Sequence, residues 1–202
     1  MANHVHWYLD FRSMNEEASK KFAELQKRIR PLEEGRYDQW FGDLFVDGKE
    51  GSPTYERSEE YDFTVENVGS KWCYIEDIGE DFISGYSAWS APTEGVEWLI
   101  AQLSEHDEKL VSVFTYDDEM PNFFGAAVYE GVDPISSEEF DYEDIIKRAM
   151  RDNQELSGKY DHKEGEWEDE ESEDLFNEIM YDVINDLKDE EISYGLQYSL
   201  KV

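Results

Sequence analysis

Cysteine is almost absent from this chain, with Cys73 alone among 202 residues. A single thiol excludes an internal disulfide framework and a cysteine-based zinc site. Positive charge is scarce too. Lys and Arg number 18 against 51 Asp and Glu, for a formal net charge of −33. Such a field repels phosphate backbones and anionic membranes, and it attracts basic partners. No apolar run approaches the roughly 18–20 residues of a membrane span. The opening MANHVHWYLDF has neither a basic n-region nor an apolar h-region. No secretory leader is therefore expected, and the expected setting is soluble and cytoplasmic.

Aromatic residues are plentiful: 6 Trp, 13 Tyr and 11 Phe, or 15% of the chain. A disordered acidic tail is poor in such residues, so a packed core is expected. The length suits one domain with appended elements. The charge is uneven. Residues 1–60 carry a net of −4, and residues 61–202 carry −29. An electrostatic partner would dock on the second part.

Residues 4–11 (HVHWYLDF) alternate like a strand. Ser13 and Glu16 then suggest a capping box, and Phe22, Leu25 and Ile29 mark an amphipathic helix over 14–30 that Pro31 stops. Tyr37 to Val46 suggests a short helix or hairpin, GKEGSP at 48–53 a loop, and YDFTVE at 61–66 a strand. KWCYIE (71–76) and DFISGYSAW (81–89) read as a hairpin. Ser90 or Thr93 can cap the next helix, with Pro92 in its first turn and Val96, Leu99, Ile100 and Leu103 as its buried stripe. Strands are expected at 110–116 and 122–130, and helices at 137–151 and 172–188. The polar stretch 157–171 reads as a mobile link, and ISYGLQYS (192–199) as a last edge strand. The order strand, helix, insertion, strand, strand, helix, strand is that of the ferredoxin-like split βαβ. The expected architecture is an α+β core over 1–134, with helices on one face of an antiparallel sheet and an insertion at 31–67. An acidic helical extension over 135–202 packs on or beside it.

VGSKW at 68–72, AWSAP at 88–92 and FTYDDEMPNFFGAAVYEG at 114–131 carry a family likeness. Together they resemble the YubB-type family of ferredoxin-like domains found mainly in phages and plasmids. The opening MANHVHWYLDF is similar to the family's start, with His4-Val5-His6 where Trp-Cys is common, and Ala91-Pro92 stands for Pro-Pro. The resemblance implies the fold and a mobile-element origin. It implies no catalytic residues and no mechanism, and it stops short of the acidic segment beyond 135.

Candidate binding residues come from that segment. Asp174, Glu178, Asp182, Asp186 and Glu190 recur every four residues. On a helix each step rises about 6 Å and turns about 40°, which draws a slowly winding column of carboxylates. Phosphates along a DNA strand are similarly spaced. Lys188 is the sole basic residue in 172–191, whereas ordinary exposed helices mix signs to gain i,i+4 pairs. A second cluster, Glu138, Glu139, Asp141, Glu143 and Asp144, suits the N-terminal end of a helix and would widen the negative surface. The plainer alternative for both is a solvated acidic face.

Other chemistry finds little support. Asp117-Asp118-Glu119 lacks the alternation and the glycine of a calcium loop. His4 and His6 share a strand face with no third ligand nearby. No GxSxG, P-loop or GxGxxG is present. Cys73, Trp72, Trp89 and Trp98 read as packing residues, and the Lys and Arg that accompany aromatics on an RNA-binding sheet are missing. The sequence therefore points to a non-enzymatic phage protein without metal or cofactor. Its expected partner is a basic, nucleic-acid-binding host protein, met in the host cytoplasm and blocked by nucleic-acid mimicry. The alternative is an accessory or structural phage protein whose acidity serves only solubility.

Overall fold

The computed structural model describes residues 3–30, 39–46 and 60–199. Ten residues, His4–Ser13, form β1. Their alternation works as expected, with Val5, Trp7, Leu9 and Phe11 buried. Because β1 runs through Ser13, the cap of α1 (Glu16–Gln26) falls to Asn15, whose side chain accepts from the Ala18 N–H. The expected Ser13 box does not form. Pro31, the 48–53 loop and most of the 31–67 insertion lie outside the described residues. Within that insertion Gln39–Trp40 forms the short strand β2, followed by a 3-10 turn over Phe41–Phe45. The segment read as a strand at 61–66 is helical instead, as α2 (Glu60–Asn67). Its Phe63 meets the Trp40 and Phe45 rings edge-on, so tertiary aromatic packing overrides β propensity.

The hairpin is β3 (Cys73–Ile78) and β4 (Phe82–Ala88). Helix α3 (Thr93–Ser104) follows, then β5 (Val111–Asp118) and β6 (Phe123–Glu130). Pro92 occupies the cap position of α3, and no side chain caps it. The Ser90 hydroxyl instead donates to the Gly69 carbonyl. The expected stripe of Val96, Leu99, Ile100 and Leu103 is buried throughout. A strand unforeseen in the sequence, β7 (Asp133–Asp141), pairs with β6. It takes Glu138 and Glu139 away from the helix expected at 137–151, which begins later as α4 (Tyr142–Asp152).

Residues 157–171 are not a featureless link. They hold a small hairpin, β8 (Tyr160–Asp161) and β9 (Glu166–Trp167), whose Trp167 packs on Phe176. The edge strand expected at 192–199 is also absent, because α5 runs unbroken from Glu170 to Ser199.

The sheet has seven strands in the order β2-β3-β4-β1-β5-β6-β7, and every pairing is antiparallel. One face carries α1 and α3 over Trp7, Leu9, Phe11, Ile83, Phe114, Ala127 and Tyr129. These two helices cover one face, as expected for the core. The other face is covered at its β6–β7 end, where Phe124 packs with Ile145, Ile146, Phe176, Val183 and Ile184 of α4 and α5. The result is a mixed α/β protein with an antiparallel sheet between helical layers. No helix among the described residues is long and apolar enough to cross a membrane.

Candidate functional site

Thirty residues at about 1.5 Å each make α5 roughly 45 Å long. Asp169 starts it, accepting from the Ser172 N–H at 2.8 Å and from the Ser172 hydroxyl. Those bonds, with Lys159 beside them, hold the Asp169 carboxyl down at about 2. Phe176, Val183 and Ile184 are buried, and Leu175, Ile179, Met180 and Leu187 flank them. At its far end the helix lies close on the sheet. A Cβ on Gly195 would fall 2.6 Å from Val128 Cβ, so only glycine permits this approach.

Two cations in this region serve the docking of the helix. Lys188 Nζ donates to both carboxylate oxygens of Asp117 on β5 at 2.7 Å. Arg148 of α4 grips Glu190 with both terminal nitrogens, one at 2.8 Å, and bridges to Asp152 as well. The guanidinium hydrogen bond pulls the Glu190 carboxyl below its ordinary range. Glu190 therefore belongs to the α4–α5 clasp.

The remaining four carboxylates of the column stand apart. Asp174, Glu178, Asp182 and Asp186 are all exposed, and none has an ion pair among the described residues. Tyr181, 60% exposed, sits beside them. A shallow groove of about 460 Å³ continues the surface past Asp186 and Asp189 to Ser193, Tyr194 and Gln197.

The second cluster does not form a single patch. Asp141 caps α4 in a reciprocal box with Asp144. Glu143 pairs with His162 at 2.7 Å. Glu139 accepts from the Tyr116 hydroxyl at 2.9 Å on the α1/α3 face. Its cross-strand partner is Gly125, while that of Glu138 is Ala126, so the two glutamates point to opposite faces.

The acidic loop is divided as well. Asp117 is taken by Lys188, and buried Asp118 accepts from the Asn3 and Asn122 side-chain amides. No group of three His, Cys, Asp or Glu that could hold a metal ion occurs among the described residues. His4 and His6 do share a face, where the His4 ring stacks on Tyr86 at 5.4 Å. Cys73 is fully buried, and burial pushes its thiol well up, away from the thiolate a nucleophile needs. Trp72 and Trp98 pack partly, the latter stacked on Phe45 at 4.0 Å. Trp89 departs from expectation: it is 55% exposed and its backbone is left-handed, at φ 72°. The sequence marks that junction only through the AWSAP motif. Periodicity could not show that the indole faces outward. No family model, curated protein or solved structure matches the chain.

Proposed function

We propose that this is a phage-encoded, acidic protein-binding protein. It presents the outer face of α5 to the nucleic-acid groove of a basic host protein in the host cytoplasm. The observation that carries the reading is the set Asp174, Glu178, Asp182 and Asp186, exposed and without an ion pair among the described residues, on a helix whose opposite side is packed into a core. A docked helix fixes the spacing of its charges, so the ordering entropy is already met before a partner arrives. The nearby Lys188 and Arg148 are spent on anchoring, which leaves the column uncompensated. Binding would be competitive, with carboxylates replacing phosphates, and it requires no catalytic group.

The strand order β3-β4-β1-β5 with α1 and α3 on one face supports the ferredoxin-like reading of the core. VGSKW, AWSAP and the 114–131 segment support a YubB-type relationship and, through it, a mobile-element origin.

The test is a tagged capture from nuclease-treated host lysate at about 0.1 M and about 0.5 M salt, where exposed charges are heavily screened. The expected result is one stoichiometric nucleic-acid-handling protein, retained at low salt and weakened at high salt. The variant Asp174→Lys, Glu178→Lys, Asp182→Lys, Asp186→Lys should lose it while unfolding as the parent does. Retention by this variant refutes the proposal. A spread of basic proteins lost together would return the acidity to a solubility role.

A further inference from the structure

Trp89 combines two costly features. Its φ of 72° places a bulky side chain in the left-handed region that L-residues avoid. It also leaves the indole 55% exposed, so burial does not repay the strain. Trp89 lines a groove of about 350 Å³ together with Gly69, Thr93, Glu94, Phe123 and Glu139. Two acidic residues, Glu94 and Glu139, are among those that line it. The Glu139 carboxylate is held by the Tyr116 hydroxyl at 2.9 Å. The Glu94 carboxylate folds back over Gly69, filling the space a Cβ would take there. A cation already lies near this indole within the chain, for Lys71 Nζ is 6.0 Å from the Trp89 centroid and 5.8 Å from that of Trp72.

We infer that the Trp89 groove is an anchor for an arginine side chain of a basic protein segment, stacked on the indole and bonded to Glu139 and Glu94. The inference rests on the proposed basic partner and adds the point of specificity that a column of charges lacks. A guanidinium fits better than an ammonium. It is planar, it is weakly hydrated, and its donors fork onto carboxylates while its face lies on an aromatic ring. Tryptophan and arginine are both enriched among the residues that carry interface energy. The groove lies on the α1/α3 side of the sheet, whereas α5 packs on the other.

The test titrates a nine-residue arginine peptide, and a nine-residue lysine peptide of equal charge, into the 15N-labelled protein in about 0.1 M salt. The readout is the set of indole N–H peaks, with that of Trp89 identified by its loss in Trp89→Gly. Glycine accepts φ 72° without strain, so this variant keeps the local turn, and its melting is measured alongside the parent's. The expected result is a saturable shift of the Trp89 peak, larger with arginine than with lysine. The arginine peptide should bind at least fivefold more weakly to Trp89→Gly and to Glu139→Gln. A motionless Trp89 peak, undiminished affinity in Trp89→Gly, or equal responses to both peptides would overturn the inference. A parallel titration uses the variant Asp174→Asn, Glu178→Gln, Asp182→Asn, Asp186→Asn. A Trp89 shift that persists there supports the anchor even if the α5 column fails its own test. A shift lost there overturns a separate anchor.

Discussion

Replacing Phe176 by Ala tests whether α5 is a docked element or an independent arm. Phe176 is completely buried, its ring tilted on Trp167 at 4.9 Å and edge-on to Tyr142 at 5.8 Å. The substitution removes six ring carbons and leaves a cavity between α4, α5 and the small hairpin. Lost transfer energy plus the cavity costs about 3–5 kcal/mol. The two aromatic contacts place this site toward the upper end of that range. For a protein of this size, about 4 kcal/mol lowers Tm by roughly 8–16 °C. The assay is urea unfolding followed by near- and far-UV circular dichroism, with hydrogen exchange read over 170–199. One cooperative transition, shifted as a whole, is expected from helices that share the sheet with the core under α1 and α3. The control, Asp174→Ala on the outer face of the same helix, should change stability by no more than about 0.5 kcal/mol. A loss below about 1 kcal/mol for Phe176→Ala would refute the reasoning. So would an early melting of α5 alone, since the charge column would then have no fixed spacing.

Two further outcomes follow from the geometry. Gly85 lies where β4 passes Tyr74 of β3 and Trp7 of β1, and a Cβ there would meet the Tyr74 carbonyl oxygen and come within 2.8 Å of the Trp7 ring. A backbone carbonyl cannot rotate away, so Gly85→Ala should exceed the roughly 1–3 kcal/mol of ordinary overpacking. A Tm within about 2 °C of the parent would contradict that assignment. Asp169 is held at about 2 in the folded chain, against roughly 3.9 unfolded. A depressed folded pKa contributes stability above about pH 4, and that contribution drains away as pH falls toward 2. A carbon-detected titration of its carboxyl should find the midpoint near 2, and a midpoint near 4 would remove Asp169 from the start of α5.

Much of the core was legible because its signals are local. The alternation of Val5, Trp7 and Leu9, and the stripe Val96, Leu99, Ile100 and Leu103, each declare a period that burial then satisfies. The column at 174, 178, 182 and 186 was equally plain, since four-residue spacing is a property of the chain. Where the sequence misled, a distant contact outweighed a local preference. YDFTVE alternates like a strand, yet α2 forms because Phe63 meets Trp40 and Phe45. ISYGLQYS carries β-type residues, yet it continues α5 because Gly195 lets the helix settle on Val128 and Ser136. Glu138 and Glu139 were separated by β7, whose pairing with β6 is set by the sheet edge.

The sequence by itself determined the sign and density of the charge, the absence of an internal disulfide and the residues available for a core. These are additive properties, fixed by composition and short spacing. Tertiary structure alone decided which charges are free. Lys188 and Arg148 reach Asp117 and Glu190 across 71 and 42 residues, taking Glu190 out of the column and leaving its other four carboxylates without an ion pair among the described residues. It also decided that Trp89 faces outward, because a left-handed turn at the end of β4 turns the indole away from the core. Ion pairing and exposure depend on distances through space, and a one-dimensional pattern does not contain them.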